Sequence, residues 1–161
     1  FDLIPYGEDW RRGGEYLKQV LADIGIQVEL RYEDVPTWLK RIYHRYDFQM
    51  NLNYFYQLPD PVLGVHRHYG TDQIRKGTHF VNSSRYSNPK LDALLDSGAG
   101  EPNAAKRTAA YKEIQQILAN DMPVVNLFEL EFLVVYNTKL KGVYGSAMGA
   151  YGSFREGYLD D

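Results

Sequence analysis

The hydrophobic positions near the start of the chain change period at a single glycine. Across residues 10–24, apolar side chains recur at helical spacing, which predicts an amphipathic helix facing a core. The side chains of this stripe are Tyr16, Leu17, Val20, Leu21 and Ile24. From residue 26 to residue 33, apolar and polar side chains alternate with the period of a β-strand. Gly25 lies between the two patterns, where a left-handed residue commonly ends a helix.

The same succession of elements continues along the chain. A short strand is predicted at residues 1–6, and a second helix begins after the N-cap residue Asp34 and ends near His44. A further strand begins at Asp47 and ends in the Pro-rich turn at residues 58–61, because proline lacks the backbone N–H that a strand needs. Strands that alternate with helices predict an α/β fold, with a largely parallel sheet and helices on both faces.

The end of the strand that begins at Asp47 is the predicted ligand site. Ligands of open α/β sheets bind beyond the carboxyl ends of the strands. Here that position carries an aromatic run, an amide and a carboxylate, namely Tyr54, Phe55, Tyr56, Gln57 and Asp60. The alternative interpretation is a buried strand that ends in a Pro-rich turn and binds nothing.

The rest of the chain is predicted to be helical and then extended. Residues 62–69 suit one or two helical turns, and residues 70–87 suit a long irregular loop. Asn88 and Asn103 are placed to cap two further helices. Strands are predicted at residues 124–128, at residues 132–136 and near Val143. Since no linker divides the sequence, residues 1–161 are predicted to form a single α/β domain.

Composition excludes several classes of protein. The chain has 161 residues, of which 44% are hydrophobic and 24% are charged, as in an ordinary globular domain with a core. The net charge of -3 and the dispersed Lys and Arg residues give no basic surface for nucleic acid, and no apolar run is long enough for a membrane span. The absence of cysteine excludes disulfides and thiolate chemistry. The 14 tyrosines suit either ligand contact or core packing.

Histidine offers a possible metal site. His66 and His68 lie two residues apart, so a strand would place both rings on one face, shortly after Asp60. The alternative function is therefore a small metal-dependent hydrolase that uses these three residues, although a solvated surface also explains the pair. His44 and His79 stand alone in the sequence and are predicted to be surface residues.

No complete catalytic motif occurs elsewhere in the sequence. Ser83 and Ser84 lack the nucleophile-elbow pattern, and the glycines form neither a dinucleotide fingerprint nor a P-loop. Glu129 and Glu131 could share one face of a strand, but nothing in the sequence indicates a cleft between them. The chain is therefore predicted not to be an enzyme and to use no metal or cofactor.

Four short motifs follow one another between Glu15 and Pro123. They are EYLKxxLxxIGIxV from Glu15 to Val28, Asp60-Pro61, YSNPKLD from Tyr86 to Asp92, and Arg107, Tyr111 and Gln115 on one helix that is followed by Pro123. Together these motifs resemble the periplasmic solute-binding proteins of bacterial oligopeptide and dipeptide ABC importers.

The resemblance implies a larger, periplasmic or extracytoplasmic protein of two lobes. Such proteins close on a ligand and deliver it to an ABC transporter permease without chemical change. The chain would then be a fragment, most of one lobe of the periplasmic-binding-protein fold, and its N-terminal lobe would be missing. The first residues do not resemble a signal peptide, which is expected either of such a fragment or of a cytosolic protein. A regulatory ligand-sensing domain on the same scaffold is a further interpretation.

One position departs from the family pattern. In peptide-binding members, an Asp three residues before the acidic-Pro pair holds the amino terminus of the ligand, and a Trp lies three residues earlier. Here those positions are Gln57 and Tyr54. A neutral amide cannot neutralise an ammonium group in a dry cleft. The departure therefore favours a blocked or modified peptide, an opine-like compound or a sugar-containing conjugate.

Overall fold

Helices form most of the regular structure in the computed structural model, which describes residues 1–130, 134–143 and 152–160. The α-helices are α1 (Glu8–Asp23), α2 (Val35–Leu39), α3 (Val65–Tyr69), α4 (Pro89–Gly100) and α5 (Ala104–Asp121). A π-helix (Lys40–Arg45) continues α2, and short 3-10 turns occur at Pro61–Leu63 and Thr71–Gln73. The strands are β1 (Asp2–Leu3), β2 (Asn51–Leu52), β3 (Leu140–Lys141) and β4 (Tyr158–Leu159).

Strand β1 lies between two parallel neighbours. It pairs in parallel with β2, with Leu3 opposite Leu52, and on its other side Asp2 forms a parallel bridge with Arg31. A partly buried ion pair supports this bridge, since Arg31 donates to the Asp2 carboxylate at 2.7 Å and Asp2 is 1% exposed. The parallel direction of these contacts agrees with the sequence pattern.

The strands themselves are much shorter than their sequence patterns. Residues 26–33 contribute only the bridge at Arg31, and only β2 is a strand within residues 47–61. Alternation specifies an extended chain with two different faces, but it does not supply a neighbouring strand to pair with. The general α/β class therefore agrees with the structure. An extended parallel sheet with helices on both faces is not confirmed.

Among the described residues, the strands predicted in the C-terminal part of the chain are only partly present. Residues 124–128 form no strand. Part of the strand predicted at residues 132–136 lies outside the described residues, and its described part is not a strand. The strand predicted near Val143 corresponds to β3, which pairs antiparallel with β4.

Helix starts follow the sequence closely. The Asp34 carboxylate accepts the Thr37 N–H at 2.8 Å, the Asn88 amide oxygen accepts the Lys90 N–H at 3.0 Å, and the Asn103 amide oxygen accepts the Lys106 N–H at 3.0 Å. Gly25 follows α1 with a φ of 86°, the left-handed conformation expected of it. Local capping chemistry therefore decides where these helices begin and end.

Two groups of buried side chains form the interior. The N-terminal cluster contains Ile4, Trp38, Ile42, Tyr43 and Val81. The C-terminal cluster contains Tyr69, Leu91, Leu95 and Ile114, and it joins α3, α4 and α5.

The predicted apolar stripe of α1 is largely uncovered. Tyr16 is 67% exposed and Ile24 is 71% exposed, whereas Leu17 and Leu21 are half-buried. The helix instead lies against β1 and β2 at Gly13 and Gly14, which carry no side chain and so do not contribute to a hydrophobic pattern. No helix among the described residues combines the length and apolar character needed to cross a bilayer.

Adjacent glycines in α1 give a matched pair of variants. A methyl group added at Gly13 would meet its nearest neighbour, Leu52, at 3.8 Å, whereas one added at Gly14 would lie 2.2 Å from Leu3 Cδ1. Gly13→Ala is expected to raise the free energy of unfolding by about 0.5–1 kcal/mol through helix propensity. Gly14→Ala gains the same propensity but overpacks a buried site, which costs about 1–3 kcal/mol, so the net change is a loss.

Urea denaturation of the two glycine variants measures this difference. Equal stabilisation of both variants would show that Leu3 moves aside freely, and it would contradict close packing of α1 on β1.

Candidate ligand-binding site

An open groove of about 1230 Å³ runs past the end of β2. Its lining comes from α1, from the chain around β2, from α3 and the loop after it, and from the segment after α5. Large side chains on these walls include Trp10, Leu17, Leu21, Phe48, Tyr69, Val124 and Phe128. The mixture of apolar walls and a few polar groups is typical of a small-molecule site.

Four of the five predicted ligand-site residues line this groove, namely Tyr54, Phe55, Tyr56 and Gln57. Tyr54 is half-buried, and its ring centroid lies 5.6 Å from that of Trp10 and 5.7 Å from that of Tyr6. Tyr56 is 37% exposed and Gln57 is exposed, so the end of the strand faces an open surface. The side chains that follow β2 are therefore accessible, and ligand contact by them stays a prediction.

Asp60, the fifth predicted ligand-site residue, lies outside the groove lining. Its carboxylate accepts the Val62 N–H at 2.9 Å and an Arg107 N–H at 2.8 Å. The Val62 hydrogen bond, with a further contribution from Arg107, lowers the pKa of Asp60. These contacts fix the turn at residues 58–61 against α5, and a ligand contact by Asp60 stays a prediction.

Gln57 packs closely against Gly64. A methyl group added at Gly64 would lie 2.2 Å from Gln57 Oε1 and 3.3 Å from Gln57 Cα. A side chain at residue 64 would therefore require the exposed Gln57 amide to move and would crowd the Gln57 backbone.

The metal-dependent hydrolase is not supported. His66 and His68 lie on α3 rather than on a strand, and helical residues two apart do not face the same side. His66 Nε2 lies 3.0 Å from the Tyr111 hydroxyl, while Asp60 is engaged by Arg107. Within residues 1–130, 134–143 and 152–160, no group of three or more His, Cys, Asp or Glu side chains could hold a metal ion.

His68 lines the groove and does not form the metal site that its spacing from His66 suggested. It is 2% exposed, and its ring centroid lies 3.8 Å from that of Phe55. Burial, with a smaller contribution from the charge of Arg67, lowers its pKa to about 3. The helical turns predicted at residues 62–69, which correspond to α3, already turn His68 away from His66, and the paired-histidine interpretation required a strand there instead.

His44 and His79 do not stand alone. The loop after the second 3-10 turn folds back on the π-helix through a hydrogen bond from the Gly77 N–H to the Tyr43 carbonyl at 2.8 Å. This contact brings His44 Nε2 within 3.3 Å of His79 Nε2. Both rings are exposed, as predicted, and neither lines the groove.

The chain is similar to periplasmic proteins of peptide transport. The peptide transport periplasmic protein SapA of Haemophilus influenzae is 24% identical over 145 residues, which is 84% of this chain. A mannohexaose-bound periplasmic oligopeptide-binding protein of an oligopeptide ABC transporter from Thermotoga maritima is 25% identical over 76% of this chain, with a TM-score of 0.67. The resemblance to the solute-binding proteins of peptide ABC importers is confirmed. No protein-family model matches the chain.

A further solved structure extends the fold comparison to nearly the whole chain. NikZ from Campylobacter jejuni, in complex with Ni(L-His), matches 94% of this chain with a TM-score of 0.74 and 19% identity. The chain spans about a quarter of the length of SapA, 24%, and 31% of NikZ. The similarity therefore concerns only part of the length of each of these proteins.

Proposed function

We propose that this chain is the ligand-binding part of one lobe of an extracytoplasmic solute-binding protein. In this proposal the complete protein has two lobes, closes on a small ligand and delivers it to an ABC importer permease without chemical change. The groove at the end of β2 is the contribution of this lobe to the site. The observation that carries the proposal is the convergence of Tyr54, Phe55, Tyr56 and Gln57 on one open groove, in a chain similar to solute-binding proteins.

Uncovered apolar surface on the groove walls supports the two-lobed arrangement. Val125 is 62% exposed and Phe128 is 61% exposed, and both line the groove. Exposed apolar surface of this kind marks a contact with ligand or protein. We expect the isolated chain to fold but to bind weakly, because half of the cleft is absent.

The ligand that suits this groove best is neutral where it meets Gln57. An amide both donates and accepts hydrogen bonds, and tyrosine rings stack on flat or neutral ring surfaces. A blocked or modified peptide, an opine-like compound or a sugar-containing conjugate satisfies these contacts. A free ammonium group at this position would lack a carboxylate partner within the groove segment at residues 54–57.

Exchange of Gln57 tests the charge argument. Gln57→Asp in the complete polypeptide is expected to strengthen binding of free trialanine about tenfold or more, because a carboxylate forms a charge-assisted hydrogen bond with the ammonium group. Gln57→Asn is the matched control, since it has the same shape as aspartate and no charge. Isothermal titration calorimetry with trialanine and with N-acetyl-trialanine amide measures both variants.

Only the free-amine peptide should gain affinity, and only in the aspartate variant. An equal response of the two variants, or no gain for trialanine, would count against ligand amine recognition at residue 57. Failure of both N-acetyl-trialanine amide and mannohexaose to bind the wild-type protein would reject the blocked-peptide and sugar-containing ligand classes.

A further inference from the structure

One buried side chain in the groove has no hydrogen-bond partner. Both ring nitrogens of His68 are buried, and neither has a partner among the residues that the structure describes. Burial of a polar group without a hydrogen bond is unfavourable, and native proteins retain few such groups. An orphaned buried imidazole therefore requires a reason.

The loop after α3 shows that this fold can give a buried polar side chain its hydrogen-bond partners. Asn82 is 1% exposed, and its amide donates to the Gly70 carbonyl at 3.0 Å and to the Tyr86 carbonyl at 2.9 Å. Asn82 is not part of the groove lining, whereas His68 is. Trp38 Nε1 is also buried without a partner away from the groove, whereas at the groove His68 lacks a partner for both of its ring nitrogens among the described residues.

The setting of His68 fixes the plane and the charge of its ring. Phe55 stacks on the imidazole with an interplanar angle of 33°, so the ring cannot turn freely. Burial and the charge of Arg67 keep the pKa of His68 far below neutral pH. A neutral imidazole has one N–H donor and one acceptor nitrogen. This pair of roles matches groups that themselves donate and accept, such as hydroxyls and amides.

We propose that His68 is a specificity-determining residue that hydrogen-bonds a neutral amide or hydroxyl group of the bound ligand. This inference rests on the proposed function and deepens it, since it assigns a second polar contact beyond Gln57. Phe55 then has two roles, because it lines the groove and also holds the imidazole in position.

The test compares His68→Phe with His79→Phe in the complete polypeptide. Phenylalanine keeps a flat ring beside Phe55 and removes both nitrogens, while His79 is exposed and outside the groove. Isothermal titration calorimetry uses two probes, N-acetyl-trialanine amide as the source of amides and mannohexaose as the source of hydroxyls. Thermal unfolding without a probe is measured on the same samples.

His68→Phe is expected to lower the affinity for whichever probe binds the wild-type protein by about tenfold, the effect of one neutral hydrogen bond. Its Tm without probe should be unchanged or raised, because the variant removes two unsatisfied polar atoms. His79→Phe should leave affinity unchanged. His68→Gln, which retains a donor and an acceptor, should recover part of the lost affinity.

Two results would overturn the inference. Wild-type affinity in His68→Phe would show that no ligand group depends on the imidazole. A markedly lower Tm of both His68→Phe and the ring-free His68→Gln would show that the imidazole has a structural partner. If neither probe binds wild type, the proposed ligand class fails together with this inference, whereas binding that survives His68→Phe rejects this inference alone.

Discussion

Ile42→Ala is expected to lower the free energy of unfolding by about 2–5 kcal/mol. Ile42 is 0% exposed and packs in the N-terminal cluster, together with Trp38 and Tyr43. Removal of three carbon atoms from this site loses buried apolar surface and leaves a cavity that the surrounding rings cannot fill completely. Because Phe48 and Tyr54 also pack against this cluster, the groove should lose order at the same time.

The matched control for Ile42→Ala is Ile24→Ala, the same chemical change at a side chain that is 71% exposed. We expect a change within about 0.5 kcal/mol there, as for most surface substitutions. Urea denaturation followed by tryptophan fluorescence measures both variants. Comparable losses at the two positions would mean that the N-terminal cluster does not form the core described above.

Acid is expected to destabilise the protein through His68. Burial lowers the pKa of His68 to about 3 in the folded state, whereas an unfolded histidine titrates near its ordinary value. The unfolded state therefore binds the proton first, and stability is full above about pH 6.5 and falls as the pH approaches 3. Since each unit of pH costs about 1.4 kcal/mol in this interval, the loss at pH 4.5 is on the order of 3 kcal/mol.

Comparison with His68→Phe isolates this contribution from that of the carboxylates. Denaturation curves of wild type and variant are measured from pH 7 to pH 4. The free-energy difference between them should change in favour of the variant as the pH falls. Parallel pH profiles would show that His68 is not held neutral in the folded protein.

Sequence patterns predicted those features that depend on neighbouring residues. The caps Asp34, Asn88 and Asn103 are confirmed because each side chain bonds to a backbone N–H two or three residues ahead. The convergence of residues 54–57 on a groove was also predictable, since the end of a strand in an α/β fold faces open space.

Features that depend on distant parts of the chain were not predictable in the same way. Strand length requires a partner strand, and alternation from residue 26 to residue 33 carries no information about one. The approach of His44 to His79 depends on how a loop folds back. The role of Asp60 was ambiguous because its Arg107 partner lies 47 positions away.

The groove lies between the N-terminal and C-terminal clusters of buried side chains. Tyr54 packs against the N-terminal cluster, Tyr69 belongs to the C-terminal cluster and Val124 packs against it, and all three line the same groove. A molecule bound there would touch both clusters at once, so its binding free energy would be lost if either cluster unfolded. Occupancy should therefore make the two halves melt as one cooperative unit, with a single sharper calorimetric transition.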